Sequence, residues 1–192
     1  MTKPASSSAT PAQAAWQRWA RPIVIGGLVL LLNVLIYIWL PPNLVERLGA
    51  LSYAGAFIVA AIANASVIVP VPYFPVLIRL GQVFDPWGVV LMAAAGSALG
   101  ESVAFFVGRA GRSTVAETRF YRWVQTQLQH PWRAALVLFA LSAPPNPAFD
   151  VAGLLAGALG LPLWLFLVSV FLGRIIRMAL VVFLGLGITE LW

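Results

Sequence analysis

The 192 residues contain no cysteine, one histidine and six acidic residues. Without cysteine there are no disulfides, no thiolate nucleophile and no thiolate metal ligand. The lone His130 sits beside Pro131 and forms no zinc-ligand set with any neighbour. No nucleophile elbow, Walker loop or His-Glu-x-x-His helix occurs in the chain. The expectation is therefore a protein that is not an enzyme and carries no metal or cofactor.

Charge is scarce as well. Charged residues make up 9% of the chain, against about 25% in soluble domains. Hydrophobic residues make up 61%, and several apolar runs reach bilayer length. These numbers describe an all-α integral membrane protein. The net charge of +6 then points to the cytoplasmic face and anionic head groups. It does not point to nucleic acid. The expected partners are membrane lipids, with protons as a further candidate, and the oligomeric state is left open.

Residues 1–15, rich in Ser, Ala, Thr and Pro, read as a disordered cytoplasmic tail. Residues 16–192 read as one membrane domain. Trp16, Arg18, Trp19 and Arg21 form a collar before a first span at 22–40. Residues 48–84 form a second apolar region broken by Pro70, Pro72 and Pro75, which a helix cannot run through. Asp85-Pro86 starts a span over 86–108. Residues 113–129 space Val115, Phe120, Trp123, Val124 and Leu128 as one face of an interfacial amphipathic helix. Residues 134–160 are interrupted at Pro144, Pro145, Asn146 and Pro147, and a last span occupies 162–189.

An order of events occurs twice: an apolar segment, a proline cluster, a short apolar segment, a proline, then a long helix. The first copy uses Pro70-Pro72-Phe74, Pro86 and Gly100-Glu101. The second uses Pro145-Pro147-Phe149, Pro162 and Gly173-Arg174. Irregular backbone survives at membrane depth only where protein or a watery cavity satisfies it. Paired, proline-broken segments in two halves mark transporter-like sites. The expectation is an inverted repeat of two re-entrant helical hairpins, each followed by a transmembrane helix. If both hairpins return to their own side, the basic tail and Arg109, Arg112, Arg119, Arg122 and Arg133 share the cytoplasmic face. The C-terminus is then extracytoplasmic, and the protein sits in a bacterial inner membrane.

The stretch Gly100-Glu101-Ser102-Val103-Ala104-Phe105-Phe106-Val107-Gly108-Arg109 resembles the Gly-acid…aromatic…Gly-Arg motif of the DedA/VTT-domain family, also called the SNARE-associated Golgi protein family. Ser142 to Gly173 is similar to its vacuole membrane protein branch, with Pro145-Asn146-Pro147-Ala148-Phe149-Asp150-Val151-Ala152-Gly153 followed by Pro162-Leu163-Trp164. The resemblance implies two inverted hairpins meeting near the bilayer centre. It also implies movement of phospholipid or polyprenyl phosphate between leaflets, tied to proton motive force. The bacterial members' hairpin arginines are absent between Leu138 and Asp150, where Asn146 and Asp150 stand instead.

Glu101 lies about 15 residues, or roughly 22 Å, into its helix. An intramembrane carboxylate is costly and is a functional candidate by default. Glu101 and Asp150 are the candidates for transport and proton coupling, although Asp is also among the best helix caps. Arg174 and Arg177 share a face, and with Arg109 they are candidates for a lipid head group or an ion pair. If the membrane stretch were Val151 to Gly173, both arginines of that face would instead mark the interface. Asn146-Pro147-Ala148 also matches the water-channel tripeptide, but the first cluster, Pro70-Val71-Pro72, has no Asn. The leading function is a lipid scramblase or flippase. The alternatives are a proton- or cation-coupled transporter of small solutes and a non-transporting membrane scaffold.

Overall fold

The computed structural model describes residues 51–65, 72–110, 130–144 and 148–189, with helical positions also between 24 and 39 and at 122–123 and 126–127. The described residues are all-helical, without strands. Six helices follow in order: α1 Leu51–Ala65, α2 Phe74–Val83, α3 Pro86–Ala110, α4 Pro131–Ser142, α5 Ala148–Ala158 and α6 Leu163–Thr189. The tail at 1–15 and Pro70, Pro145, Asn146 and Pro147 lie outside the described residues, as does most of 113–129.

Proline and its neighbours set the boundaries. Pro75 lies in the first turn of α2, so it belongs to the helix and not to the interruption before it. A first-turn proline lacks only an N–H that would have no intrahelical partner. Asp85 caps α3, its Oδ2 accepting from the Gly88 N–H at 2.7 Å. Pro131 opens α4 in the same way. Gly160 ends α5 at φ 74°, where an L side chain is strained. Around it, Leu161 N–H donates to Ala156 O and Gly160 N–H to Gly157 O, closing a Schellman cap. Pro162 then leads into α6, so the arginines of α6 lie within a helix that starts at Leu163.

Helix lengths fall into two classes. α3 has 25 residues and α6 has 27, both apolar enough to cross a membrane. At 1.5 Å per residue they are about 37 and 40 Å long, against a hydrocarbon core of ~30 Å. α1, α2, α4 and α5 have 15, 10, 12 and 11 residues. As described, none of these exceeds about 23 Å, less than the thickness of the core.

α3 and α6 run antiparallel. Trp87 meets Phe183 at one end, with tilted rings whose centroids are 5.1 Å apart. Glu101 meets Arg174 further along. Phe105 meets Phe166 at 5.0 Å beyond that. The short helices attach crosswise: α1 packs on α3 and α2 on α6, whereas α4 packs on α6 and α5 on α3.

Lipid tails are as apolar as leucine, so close packing, not hydrophobic expulsion, must hold such helices together. Small residues permit it. A Cβ on Gly96 or Gly100 of α3 would collide with the carbonyl oxygens of Phe57 or Ala61 in α1. A Cβ on Gly108 would strike Leu154 O, and one on Gly157 would strike Phe105 O. The buried face of α1 is Ser52, Ala56, Ala60 and Ala63, at helical spacing. Two apolar clusters result. One joins α4 and α5 to Phe105, Phe166 and Val170. The other joins α1 and α2 to Val89, Val90, Met178 and Val182.

Gly157→Ala is expected to lower the midpoint of thermal unfolding in detergent, with a cost of about 1–3 kcal/mol from overpacking against backbone. Gly55→Ala meets nothing within 4 Å and should be neutral or raise stability by up to ~1 kcal/mol. Equal midpoints for the two variants would contradict the close α3–α5 contact.

Candidate functional site

A polar contact joins the two long helices. Arg174 Nη2 on α6 donates to Glu101 Oε1 on α3. Glu101 is 5% exposed and Arg174 is 1% exposed. Arg174 lies 11 residues after the start of α6 and 15 before its end, or roughly 17 Å into a helix of about 40 Å. The reading in which the arginines mark an interface placed the membrane stretch at Val151 to Gly173. The break between α5 and α6 at Leu159–Pro162 interrupts that stretch, and Arg174 falls near the middle of its helix.

Glycine precedes each member of the pair. Gly100 brings α3 against the α1 backbone, and Gly173 brings α6 against Phe139 O and Ser142 Oγ of α4. Ser142 Oγ donates to Phe139 O at 2.9 Å, so the hydroxyl beside Gly173 is already committed. Each charged side chain is thereby fixed where its helix is most tightly clamped.

Aromatic rings complete the surroundings. Arg174 Cζ stands 4.9 Å from the Phe149 ring centroid. Phe149 is 1% exposed and continues a column of rings through Phe166 to Phe105. Arg177 Cζ stands 5.6 Å from the Phe74 ring. Such contacts contribute ~0.5–2 kcal/mol, the upper end when desolvated. Phe74 begins α2, and Phe149 is in the first turn of α5. Each interruption is thus followed at once by a ring that lies on an α6 arginine.

The guanidinium is incompletely matched. Among the described residues, Arg174 Nε and Nη1 meet no acceptor. Ser97 Oγ, one turn before Glu101 and fully buried, also has no partner among them. A buried unsatisfied donor costs ~1–3 kcal/mol, and more when charged. Such a cost is tolerated where function requires it.

The remaining candidates divide. Asp150 is the third residue of α5 as described, Ala148–Ala158. A carboxylate there complements the helix dipole, but its side chain lies outside the described residues. Arg109 is exposed in the last turn of α3, away from the buried pair and suited to that helix end. Pro72 and Tyr73 precede α2, and Pro144 is an exposed bend after α4. Phe74, Phe149 and Ser97 were not named as site residues by sequence reasoning. The two rings did carry a signal, since each follows its interruption as Pro-x-Phe.

The VTT domain matches residues 71–187, which is more than half of the chain. The chain belongs to the VTT-domain family. The matched region runs from before α2 to near the end of α6 and contains both members of the ion pair. Vacuole membrane protein KMS1 of Arabidopsis thaliana is 30% identical over 112 residues, covering 47% of this chain and 25% of the plant protein. The matched part is therefore a quarter of that relative's length. No solved structure matches the chain. VTT-domain proteins are membrane proteins of the DedA group, which agrees with the two long apolar helices.

Breaking a buried pair by removing one partner costs about 3–5 kcal/mol, whereas replacing both can be nearly neutral. Glu101→Leu and Arg174→Met should each destabilise the protein strongly in denaturant titrations, and the double variant less than the sum. A coupling of at least ~1 kcal/mol is expected for residues in direct contact. Simple additivity would exclude a paired state.

Proposed function

We propose that this protein moves anionic lipid, a phospholipid or polyprenyl phosphate, between the leaflets of a bacterial inner membrane. The observation that carries the reading is the Glu101–Arg174 pair, buried near mid-length between two helices long enough to span. An intramembrane charge is expensive, and where one persists it usually lines a pathway. Membership of the VTT-domain family supports a transporter-like role.

The architecture behind this proposal is an inverted repeat of two re-entrant hairpins, α1–α2 and α4–α5. Three observations support it. The described part of each of the four helices is shorter than the hydrocarbon core. The same pairs of helices are in contact when α1, α2 and α3 are exchanged with α4, α5 and α6, although the extents differ. Gly100-Glu101 and Gly173-Arg174 occupy corresponding stations, each glycine against the first helix of its own half. In this arrangement the N-terminus is cytoplasmic and the C-terminus extracytoplasmic.

The mechanism needs no covalent step. Protonation of Glu101 would release Arg174 from its carboxylate, and the guanidinium would then receive a head-group phosphate while the tails remain in hydrocarbon. Asp150, at the start of α5, is the second carboxylate available for proton coupling. A proton gradient biases transport only if the two conformations differ in proton affinity. The rival reading is a scaffold in which the pair only ties α3 to α6. The direct contact between the two side chains favours that rival, so stability and activity must be measured separately.

Purified protein in liposomes with fluorescent phospholipid should accelerate leaflet exchange, and a pH gradient should change the rate. Arg174→Lys keeps a cation opposite Glu101 and should retain the fold while slowing exchange by about tenfold or more, equivalent to roughly 1.4 kcal/mol. No acceleration with either phospholipid or polyprenyl phosphate would sink the lipid reading. For topology, a C-terminal reporter active only in the cytoplasm should be silent.

A further inference from the structure

The Arg174 guanidinium has two partners of different kinds. Nη2 donates to Glu101 Oε1 on α3. Cζ lies 4.9 Å from the centroid of the Phe149 ring on α5. Arg174 and Phe149 are each 1% exposed, and a cation–π contact strengthens when it is desolvated. Arg177 and Phe74 repeat the arrangement at 5.6 Å, but both are only half-buried. The Phe149 contact is the closer and more enclosed of the two.

The ring is held from behind by the same helices that carry the ion pair. Phe149 lies 6.4 Å from Phe166, with ring planes 24° apart. Phe166 lies 5.0 Å from Phe105. Phe166 is on α6 with Arg174, and Phe105 follows Glu101 by one turn of α3. All three rings are fully enclosed. Phe149 itself is the second residue of α5 as described. One side chain thus connects the start of α5 to the charge on α6, with its ring braced by both long helices.

A carboxylate and a ring hold a cation differently. A proton neutralises the carboxylate, whereas the negative face of a ring does not titrate. A guanidinium has five N–H donors, and Nε and Nη1 of Arg174 meet no acceptor among the described residues. A ring attracts the cation as a whole and needs none of those donors aligned. We infer that Phe149 is a positioning residue for Arg174, whose ring keeps the guanidinium at the α3–α6 contact when Glu101 is neutral and so ties the start of α5 to the state of the pair. This goes beyond the transport reading and needs only the pair itself. Neutralising Glu101 then throws more of the cation's stabilisation onto Phe149.

The test places mono-, di- and trifluorinated phenylalanine at position 149 of the full chain in detergent. Fluorine drains the ring face while nearly preserving its size, so packing is kept. Denaturant titration should find the unfolded-to-folded ratio rising along the series, by about two- to thirtyfold in total, the span of one cation–π contact. The rise should be steeper in Glu101→Gln and absent in Arg174→Met. An equal rise in Arg174→Met would make Phe149 a packing residue and overturn the inference. A rise no steeper in Glu101→Gln than in the parent would overturn it as well. A spectroscopic reading separates position from stability. The Nε–H nitrogen resonance of Arg174, identified by its loss in Arg174→Lys, should carry the ring-current shift of an overlying ring. Cyclohexylalanine in place of Phe149 should abolish that shift, and Glu101→Gln should preserve it. A resonance indifferent to cyclohexylalanine, or one that loses its ring-current shift in Glu101→Gln, would also overturn the inference. None of these readings involves lipid. Failure here leaves the transport reading standing, and absence of leaflet exchange leaves this inference standing.

Discussion

The Glu101–Arg174 pair is the constraint around which the bundle is arranged. An arginine at the centre of a spanning helix costs at least ~2.5–3.5 kcal/mol on insertion scales. It persists only if a partner and close packing compensate. The carboxylate supplies the partner from the antiparallel helix. Gly100 and Gly173 supply the packing by bringing α1 and α4 against the two charged stations. Phe149 closes the remaining side, at the start of α5. Five helices thus meet at one ion pair, and the start of α2 reaches the same helix face through Phe74 and Arg177.

This arrangement divides the apolar interior in two. One cluster belongs mainly to α4 and α5 and the other to α1 and α2, and the long helices serve both. On α6, Arg174 lies between Val170 of the first cluster and Met178 of the second. Between the clusters lie buried polar atoms that meet no partner among the described residues, Arg174 Nε and Nη1 and Ser97 Oγ. The same place holds close contacts, since Gly100 and Gly173 set their helices directly against α1 and α4.

Much of the fold was legible from local chemistry. Apolar runs of bilayer length marked α3 and α6, and Asp85-Pro86, Pro131 and Leu161-Pro162 marked helix boundaries because proline fixes φ and lacks a donor. Gly96 and Gly100 stand four residues apart, a spacing that permits close approach but does not say to which helix. Pro75 was less legible: proline both interrupts a helix and opens one, and only the backbone shows which. The amphipathic spacing of 113–129 falls mostly outside the described residues.

For the site, the sequence by itself determined the cast: a carboxylate and an arginine, each after a glycine, each deep within an apolar run. That information is local, since the cost of a charge in hydrocarbon depends on little more than its depth. The partner of each charge is not local. Seventy-three residues separate Glu101 from Arg174, and only the antiparallel register of α3 and α6 brings them together. The same holds for Phe74 and Phe149, whose rings could have joined either apolar cluster. Tertiary structure turned them over the α6 arginines because the short helices pack crosswise, and crosswise packing is a property of the whole bundle, not of any segment.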